Sequence, residues 1–230
     1  MNLLKIKYYL ILYVDEMSKL YIVGVGPGAK EYLTYKAVET VKSADIVIGS
    51  KRAIDLFDKV KDVKEFNVKN LHGNLEESVE IAKGGKTVAL LSTGDPGFSG
   101  LLSPILEIAE EKEFNKDNIE VIPGISSLQI ASGKSKIPWD KSNIMTFHGR
   151  ENIEDILPII DNGKETIALP SRKVKDMAQF LIDNNVDSNR KVIVCERLSY
   201  PDEKILEGTL KEISQSEFTY MCVMVISAKD

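Results

Sequence analysis

The sequence predicts an α/β protein built from two α/β domains, with a mainly parallel sheet in the first and a mixed sheet in the second. Two observations carry this. From residue 20 onward, short apolar runs alternate with segments of helical spacing, the pattern of a parallel sheet covered by helices. The rhythm then changes: EKILEGTL (203–210) and FTYMCVMVIS (218–227) are both strand-like, with only a short turn of helix between them, which calls for antiparallel members. Composition agrees. The chain has 230 residues, 43% hydrophobic and 28% charged, which excludes disordered and fibrous classes. At about 150 residues per domain this length suits one large domain or two small ones.

The elements follow in order. LYIVGV (20–25) is a short apolar strand ended by Gly26-Pro27-Gly28, and Thr34 to Ala44 has helical spacing with Ala37, Val38 and Val41 on one face. A strand at 45–48, a helix from Ser50 to Phe57 and a weak strand near 62–66 come next. The spacing predicts a helix from Asn74 to Lys83, stopped by Gly84-Gly85. KTVALLS (86–92) is a strong buried strand, followed by the loop TGDPGFSG, a helix over 101–112 and a strand at 118–122. Pro123 and Gly124 then interrupt the apolar pattern, and a new helix starts at Ser126 or Ser127. Residues 18–123 are therefore read as the first domain and 124–230 as the second. The second has strands at 143–147, 165–169 and 191–195 and a helix at 174–184.

The segment ahead of these is LLKIKYYLILYV (3–14). Its uninterrupted apolar run, Tyr8 to Val14, is about a third of a membrane span. No small-x-small cleavage site follows before Asp15 and Glu16. Residues 1–17 are read as an N-terminal extension ahead of the first strand, with Met17 as an alternative start, or as a small added element; a membrane association is the weaker reading.

Charge and cysteines bound the partners. Thirty basic against 35 acidic residues give a net charge of −5, the wrong sign for a non-specific nucleic-acid binder. Cys195 and Cys222 lie in strand-like runs without CxxC spacing. They are read as small buried hydrophobes rather than a zinc or disulfide framework, and a cytoplasmic location is the expectation.

Three glycine loops stand immediately beyond strands, where open α/β sheets bind ligands. Gly24-Val25-Gly26-Pro27-Gly28 lacks the G-x-G-x-x-G spacing of a dinucleotide site, the second strand has no acid at its end, and Pro27 removes a backbone donor. The Walker pattern is absent too. The second loop, Ser92 to Gly100, lets a ligand approach its main chain, and Asp95 there is a candidate acceptor for hydroxyls or loop amides. The third is Pro123-Gly124-Ile125-Ser126-Ser127. Taken singly, each loop also reads as a tight turn or helix cap. Together, in this order, they form a pattern.

That ordered set, GVGPG with YLTYKAVE (24–39), STGDPGFSG (92–100) and VIPGISSLQ (121–129), resembles the tetrapyrrole (corrin/porphyrin) methyltransferase family over roughly residues 19–227. Within it, GDPGFSG, PGISSLQ and FHGR (147–150) resemble the cobalt-precorrin-7 (C5)-methyltransferase branch of cobalamin biosynthesis. The resemblance implies S-adenosylmethionine as cofactor and S-adenosylhomocysteine as product, bound in a cleft between the two domains. It implies cofactor contacts at Pro27, Thr93, Gly94, Asp95, Phe98, Ser126 and Ser127, with Ser171 and Leu198 added by strand alignment. It also implies a tetrapyrrole substrate and a homodimer. Relatives fused to a domain for C15 methylation and decarboxylation exist; here a separate protein is expected to supply that step. The family's carboxylate after GPG is missing, since Ala29-Lys30 stand there.

Methyl transfer from a sulfonium is an in-line displacement, so positioning at about 3–3.5 Å and water exclusion dominate. No metal is required. His148, at a strand end, is the candidate general base, with a structural histidine as the competing reading. Arg150, Arg172 and Arg197 follow second-domain strands and are candidates for substrate carboxylates, or else solvated surface charges. His72 is expected in an exposed loop. The competing functions are another activity of the same family (a different corrin carbon, a sirohaem precursor or diphthine synthesis), a nicotinamide oxidoreductase, and a non-catalytic α/β ligand-binding module.

Overall fold

The computed structural model describes residues 19–66, 68–148, 153–170 and 173–229. The chain divides into two compact units between Ile125 and Ser126.

In the first unit, strands β1 (Lys19–Gly24), β2 (Ile46–Gly49), β3 (Val63–Glu65), β4 (Thr87–Ser92) and β5 (Ile119–Ile122) form one sheet in the order β3-β2-β4-β1-β5. Every pairing is parallel. The connections carry helices α1 (Tyr35–Ser43), α2 (Lys51–Ile54), α3 (Leu71–Lys83) and α4 (Leu102–Glu111). Alternate residues of β1, β2, β4 and β5 enter different cores. Leu20, Ile22, Ile48 and Leu90 pack against Leu75 and Val79 of α3 and Ile105 and Ile108 of α4. Val23, Val47 and Leu91 pack against Ala37 and Val41 of α1. Both faces are covered, which is why the strands read as continuous apolar runs.

Two helix boundaries differ from the sequence expectation. Helix α3 begins at Leu71, not Asn74, because the Asn70 side chain accepts from Gly73 N at 3.4 Å and starts the helix one turn early. His72 is consequently helical rather than in a loop; it is exposed and lies 3.7 Å from Glu76 one turn on. Helix α2 spans only Lys51–Ile54, and turns follow it toward Phe57.

The second unit holds α5 (Ser127–Ser135), β6 (Asn143–Thr146), β7 (Thr166–Leu169), α6 (Val174–Asp183), β8 (Lys191–Glu196), β9 (Lys204–Thr209), α7 (Leu210–Ser214) and β10 (Cys222–Ile226). The sheet order is β6-β7-β10-β8-β9. Only β6 and β7 run parallel; the other three pairings are antiparallel. One face packs Met177 and Leu181 of α6 and Leu210 and Ile213 of α7 onto Val192, Val194 and Met224. Helix α5 covers β7 and β10. Cys195 and Cys222 are free and buried, and burial pushes their thiols up to about 11 and about 12. They behave as small apolar side chains. Among the described residues no helix is long and apolar enough to cross a membrane.

Arg190 is 7% exposed. Its Nη1 donates to Ile160 O at 2.9 Å and its Nη2 lies 2.6 Å from Asp161. This arginine holds the Asp161 carboxyl below the usual carboxylate range, with Lys229 adding to the effect. A depressed folded value means that the contribution is present above about pH 3.9, the unfolded value, and is lost as pH falls through the folded one. Urea midpoints of the protein and of Asp161→Asn should therefore differ at pH 7 and converge toward pH 3. Asp161 is partly exposed, so solvent screening keeps the gap modest. A gap that stays constant with pH would contradict this account.

Candidate functional site

The C-terminal ends of β1, β4 and β5 bring the three glycine loops of the first unit into contact through their main chains. Gly94 N donates to Gly26 O at 2.8 Å and Gly26 N returns a bond to Gly94 O at 3.2 Å. Val25 N donates to Ser92 O at 2.9 Å, which carries the β1–β4 pairing into the loops. The third loop closes on the other two. A side chain on Gly124 would meet Gly94 O at 2.2 Å and Gly24 C at 2.7 Å. Bare backbone at 24 and 124 is thus what lets the loops touch.

Asp95 fastens this junction. Its Oδ1 accepts from Gly97 N at 2.8 Å within the second loop, and its Oδ2 accepts from Gly124 N at 3.1 Å in the third. Both carboxylate oxygens serve loop amides, one of the two roles expected from the sequence. Behind Asp95, Ser92 Oγ accepts from Leu101 N at 3.3 Å and ties the loop to the start of α4.

Around the junction, Pro27 is buried, Thr93 is exposed and Phe98 is half-buried. Phe98 N donates to Asp95 O at 3.4 Å. Gly94 has φ +70°, and a Cβ built there meets nothing within 4 Å. The main chain at Gly94 is therefore open to close approach by a ligand. This fits a cofactor held largely by backbone at the strand ends.

In the second unit, Ser126 caps α5. Its Oγ accepts from Leu128 N at 3.3 Å, and Gln129 Oε1 accepts from Ser126 N at 2.8 Å, a reciprocal capping box. Ser127 is the first helical residue and is half-buried. Leu198 is buried in the turn after β8. Its neighbours Arg197 and Ser199 have φ +51° and +72°, a left-handed conformation that non-glycine residues rarely adopt. In the same turn Ser199 Oγ and Tyr200 Oη are enclosed without a hydrogen-bond partner. Strain and unsatisfied buried groups concentrate at binding sites.

Arg197 is committed within its own turn. Its Nε donates to Asp202 at 2.7 Å, its guanidinium lies 4.7 Å from the Tyr200 ring centroid, and its backbone N–H donates to Met221 O at 2.8 Å. The pairing raises the Arg197 pKa and lowers that of Asp202. His148 is exposed, with Nδ1 3.4 Å from Pro170 O. A carbonyl only accepts, so Nδ1 is the donor in this contact. Arg150, Ser171 and Arg172 lie outside the described residues. No cluster of metal-ligating side chains occurs among the described residues.

Gly24 and Gly124 are contact positions outside the residues that the sequence motifs single out for the cofactor. So is Arg52 in α2, whose Nη2 donates to Thr93 Oγ1 at 3.4 Å. The signal for the first two was present: each is a glycine at or just after the end of a parallel strand. Nothing in the sequence pairs Arg52 with Thr93, which lies 41 residues away.

Known proteins resemble this chain in sequence and fold. The model of the tetrapyrrole (corrin/porphyrin) methylases matches residues 19–214. A probable cobalt-precorrin-7 C(5)-methyltransferase of Methanocaldococcus jannaschii is 47% identical over 208 residues, 90% of this chain and 96% of that protein. The crystal structure of the methyltransferase CobJ superposes with a TM-score of 0.79 at 15% identity, over 92% of this chain and 94% of its own. Uroporphyrin-III C-methyltransferase of Thermus thermophilus, crystallised with S-adenosylhomocysteine, gives 0.70 at 21% identity, over 91% and 92%. The two structures share the fold; the family match and the M. jannaschii relative extend through the loops just described. This chain belongs to the tetrapyrrole (corrin/porphyrin) methylases.

Proposed function

We propose that the protein transfers a methyl group from S-adenosylmethionine to C5 of cobalt-precorrin-7 in cobalamin biosynthesis, releasing S-adenosylhomocysteine and cobalt-precorrin-8. The 47% identity to the M. jannaschii protein along nearly the whole of both chains carries this reading. The cofactor, when bound, supplies an electrophilic methyl on a sulfonium. The ring carbon forms the new C–C bond as the S–C bond breaks, and a ring proton is then lost.

The chain's own residues position and receive. Gly94 and the loop residues Pro27, Thr93, Asp95 and Phe98 offer a rigid, backbone-lined surface for the cofactor. Ser126, Ser127, Ser171 and the strained turn at Leu198 are the contacts assigned to the second unit. His148 Nε2 takes the ring proton, its orientation set by the Nδ1 contact to Pro170. Arg150 and Arg172 are assigned to substrate carboxylates. Arg197 would add to them only by giving up Asp202. A homodimer in the cytoplasm, working beside a separate C15-methylating and decarboxylating protein, completes the reading and rests on the family resemblance.

The test is methylation of cobalt-precorrin-7 with 13C-labelled S-adenosylmethionine, reading the labelled carbon by NMR. Label at C5 supports the assignment; label at another ring carbon, or none, overturns it. His148→Gln should lower kcat by about 10²-fold, the low end for a general base, with S-adenosylhomocysteine affinity unchanged. An unaltered kcat would remove His148 from the mechanism.

A further inference from the structure

We propose that Glu203 is a positioning residue: its carboxylate holds the left-handed turn that presents Leu198 and fastens that turn to the end of helix α5. This rests on the proposed function, which assigns Leu198 to the cofactor.

The turn between β8 and β9 has a conformation that its residue types disfavour. Arg197 and Ser199 flank Leu198 with φ +51° and +72°. Non-glycine residues persist in this region only where the surrounding structure over-determines them. The Arg197 end is fixed by its neighbours: Met221 O accepts from its backbone N–H, Asp202 accepts from its Nε, and the Tyr200 ring lies against its guanidinium. The Ser199 end is fastened differently. Its hydroxyl is enclosed without a hydrogen-bond partner. Its backbone N–H donates to Glu203 Oε2 at 2.8 Å. Glu203 N in turn donates to Tyr200 O at 3.0 Å, so the turn's own backbone sets the acceptor in place. Pro201 lies inside this ring, and its fixed φ leaves fewer open conformations to compete.

The other carboxylate oxygen reaches out of the turn. Glu203 Oε1 accepts from Lys134 Nζ at 2.7 Å. Lys134 stands in the last turn of α5, the helix capped by Ser126 and begun by Ser127. One carboxylate therefore joins the helix and the turn to which cofactor contacts of the second unit are assigned. The two bonds differ in weight. The Ser199 amide meets a charged acceptor whose side chain is only 20% exposed, and such hydrogen bonds are the stronger kind. The Lys134 side chain is 44% exposed, and exposed ion pairs contribute little. The hold on Ser199 is thus the part that positions Leu198.

The probes are S-adenosylhomocysteine and the NMR signal of the Ser199 amide. Both are read on the full chain, Glu203→Ala, Glu203→Gln and Lys134→Ala, at a temperature where circular dichroism shows every protein folded. We expect Glu203→Ala to shift the Ser199 signal and to weaken S-adenosylhomocysteine about 10- to 100-fold, the range for a hydrogen bond to a charged group. Glu203→Gln keeps a carbonyl oxygen for Ser199 N and should recover most of that loss. Lys134→Ala should cost about 5-fold at most, as for an exposed pair. In turnover, KM for S-adenosylmethionine should rise in Glu203→Ala with kcat nearly unchanged. A glutamate that only stabilises the fold would lower the melting temperature and leave the affinity of the folded protein untouched; that result overturns the proposal. So does a loss in Lys134→Ala as large as in Glu203→Ala, which would assign the effect to the ion pair. An unmoved Ser199 signal shows that Glu203 does not hold the turn, and the reading of Leu198 survives it. A moved signal with unchanged affinity removes Leu198 from the cofactor site and the proposal with it. Methylation at a ring carbon other than C5 would overturn the functional reading alone and leave the role of Glu203 standing.

Discussion

Gly124→Ala is expected to weaken S-adenosylhomocysteine binding by about 10²-fold or more. The added methyl would stand 2.2 Å from Gly94 O and 2.7 Å from Gly24 C. Both are main-chain atoms in segments already bonded to each other, so no side chain can swing aside. The third loop must retreat from the other two by roughly 1 Å, and displacements of that size at a binding centre cost about 10²-fold. Overpacking should also lower stability by about 1–3 kcal/mol. Calorimetric titration and thermal melts read the two effects. If alanine at 124 leaves both unchanged, the close approach of the loops has no bearing on the site.

Asp95→Asn is expected to have the second largest effect. Asparagine keeps the shape but replaces one acceptor oxygen with an NH2 group. That group then faces either Gly97 N or Gly124 N, donor against donor, where the carboxylate accepted from both. Losing a charge-assisted bond costs about 1.5–3 kcal/mol. If the loops must be joined for binding, the affinity for S-adenosylhomocysteine falls about 10- to 100-fold. Asp95→Glu serves as the control: it keeps the charge but cannot hold both amides at the same reach. Wild-type affinity in the asparagine variant would show that the link to Gly124 is dispensable.

Much of this was legible in the sequence. The parallel sheet announced itself because both of its faces are buried, so β1 and β4 read as unbroken apolar runs. The change to a mixed sheet was legible in 203–227, where two strand-like segments leave room for one turn of helix. What the sequence did not show is of two kinds. The early start of α3 depends on the Asn70 side chain winning a contest with the competing loop, a difference that apolar spacing does not register. The pairing of Asp95 with Gly124, and of Arg52 with Thr93, depends on strand order. β1 lies between β4 and β5, and this order brings together loops 29 residues apart in the chain. Periodicity reports elements; it carries no information on which strand lies beside which.

The paired bonds between Gly26 and Gly94 have a further consequence. Two loops that would each sample many conformations alone are fastened to one another when the unit folds. Their ordering entropy, about 1–2 kcal/mol per residue fixed, is met by the folding of the sheet and not charged against the ligand. The site is therefore preorganised, and its amides should resist exchange with solvent deuterium before any cofactor arrives. It also follows that mutations weakening the sheet far from the loops will surface as weaker cofactor binding, because sheet and loops open as one unit.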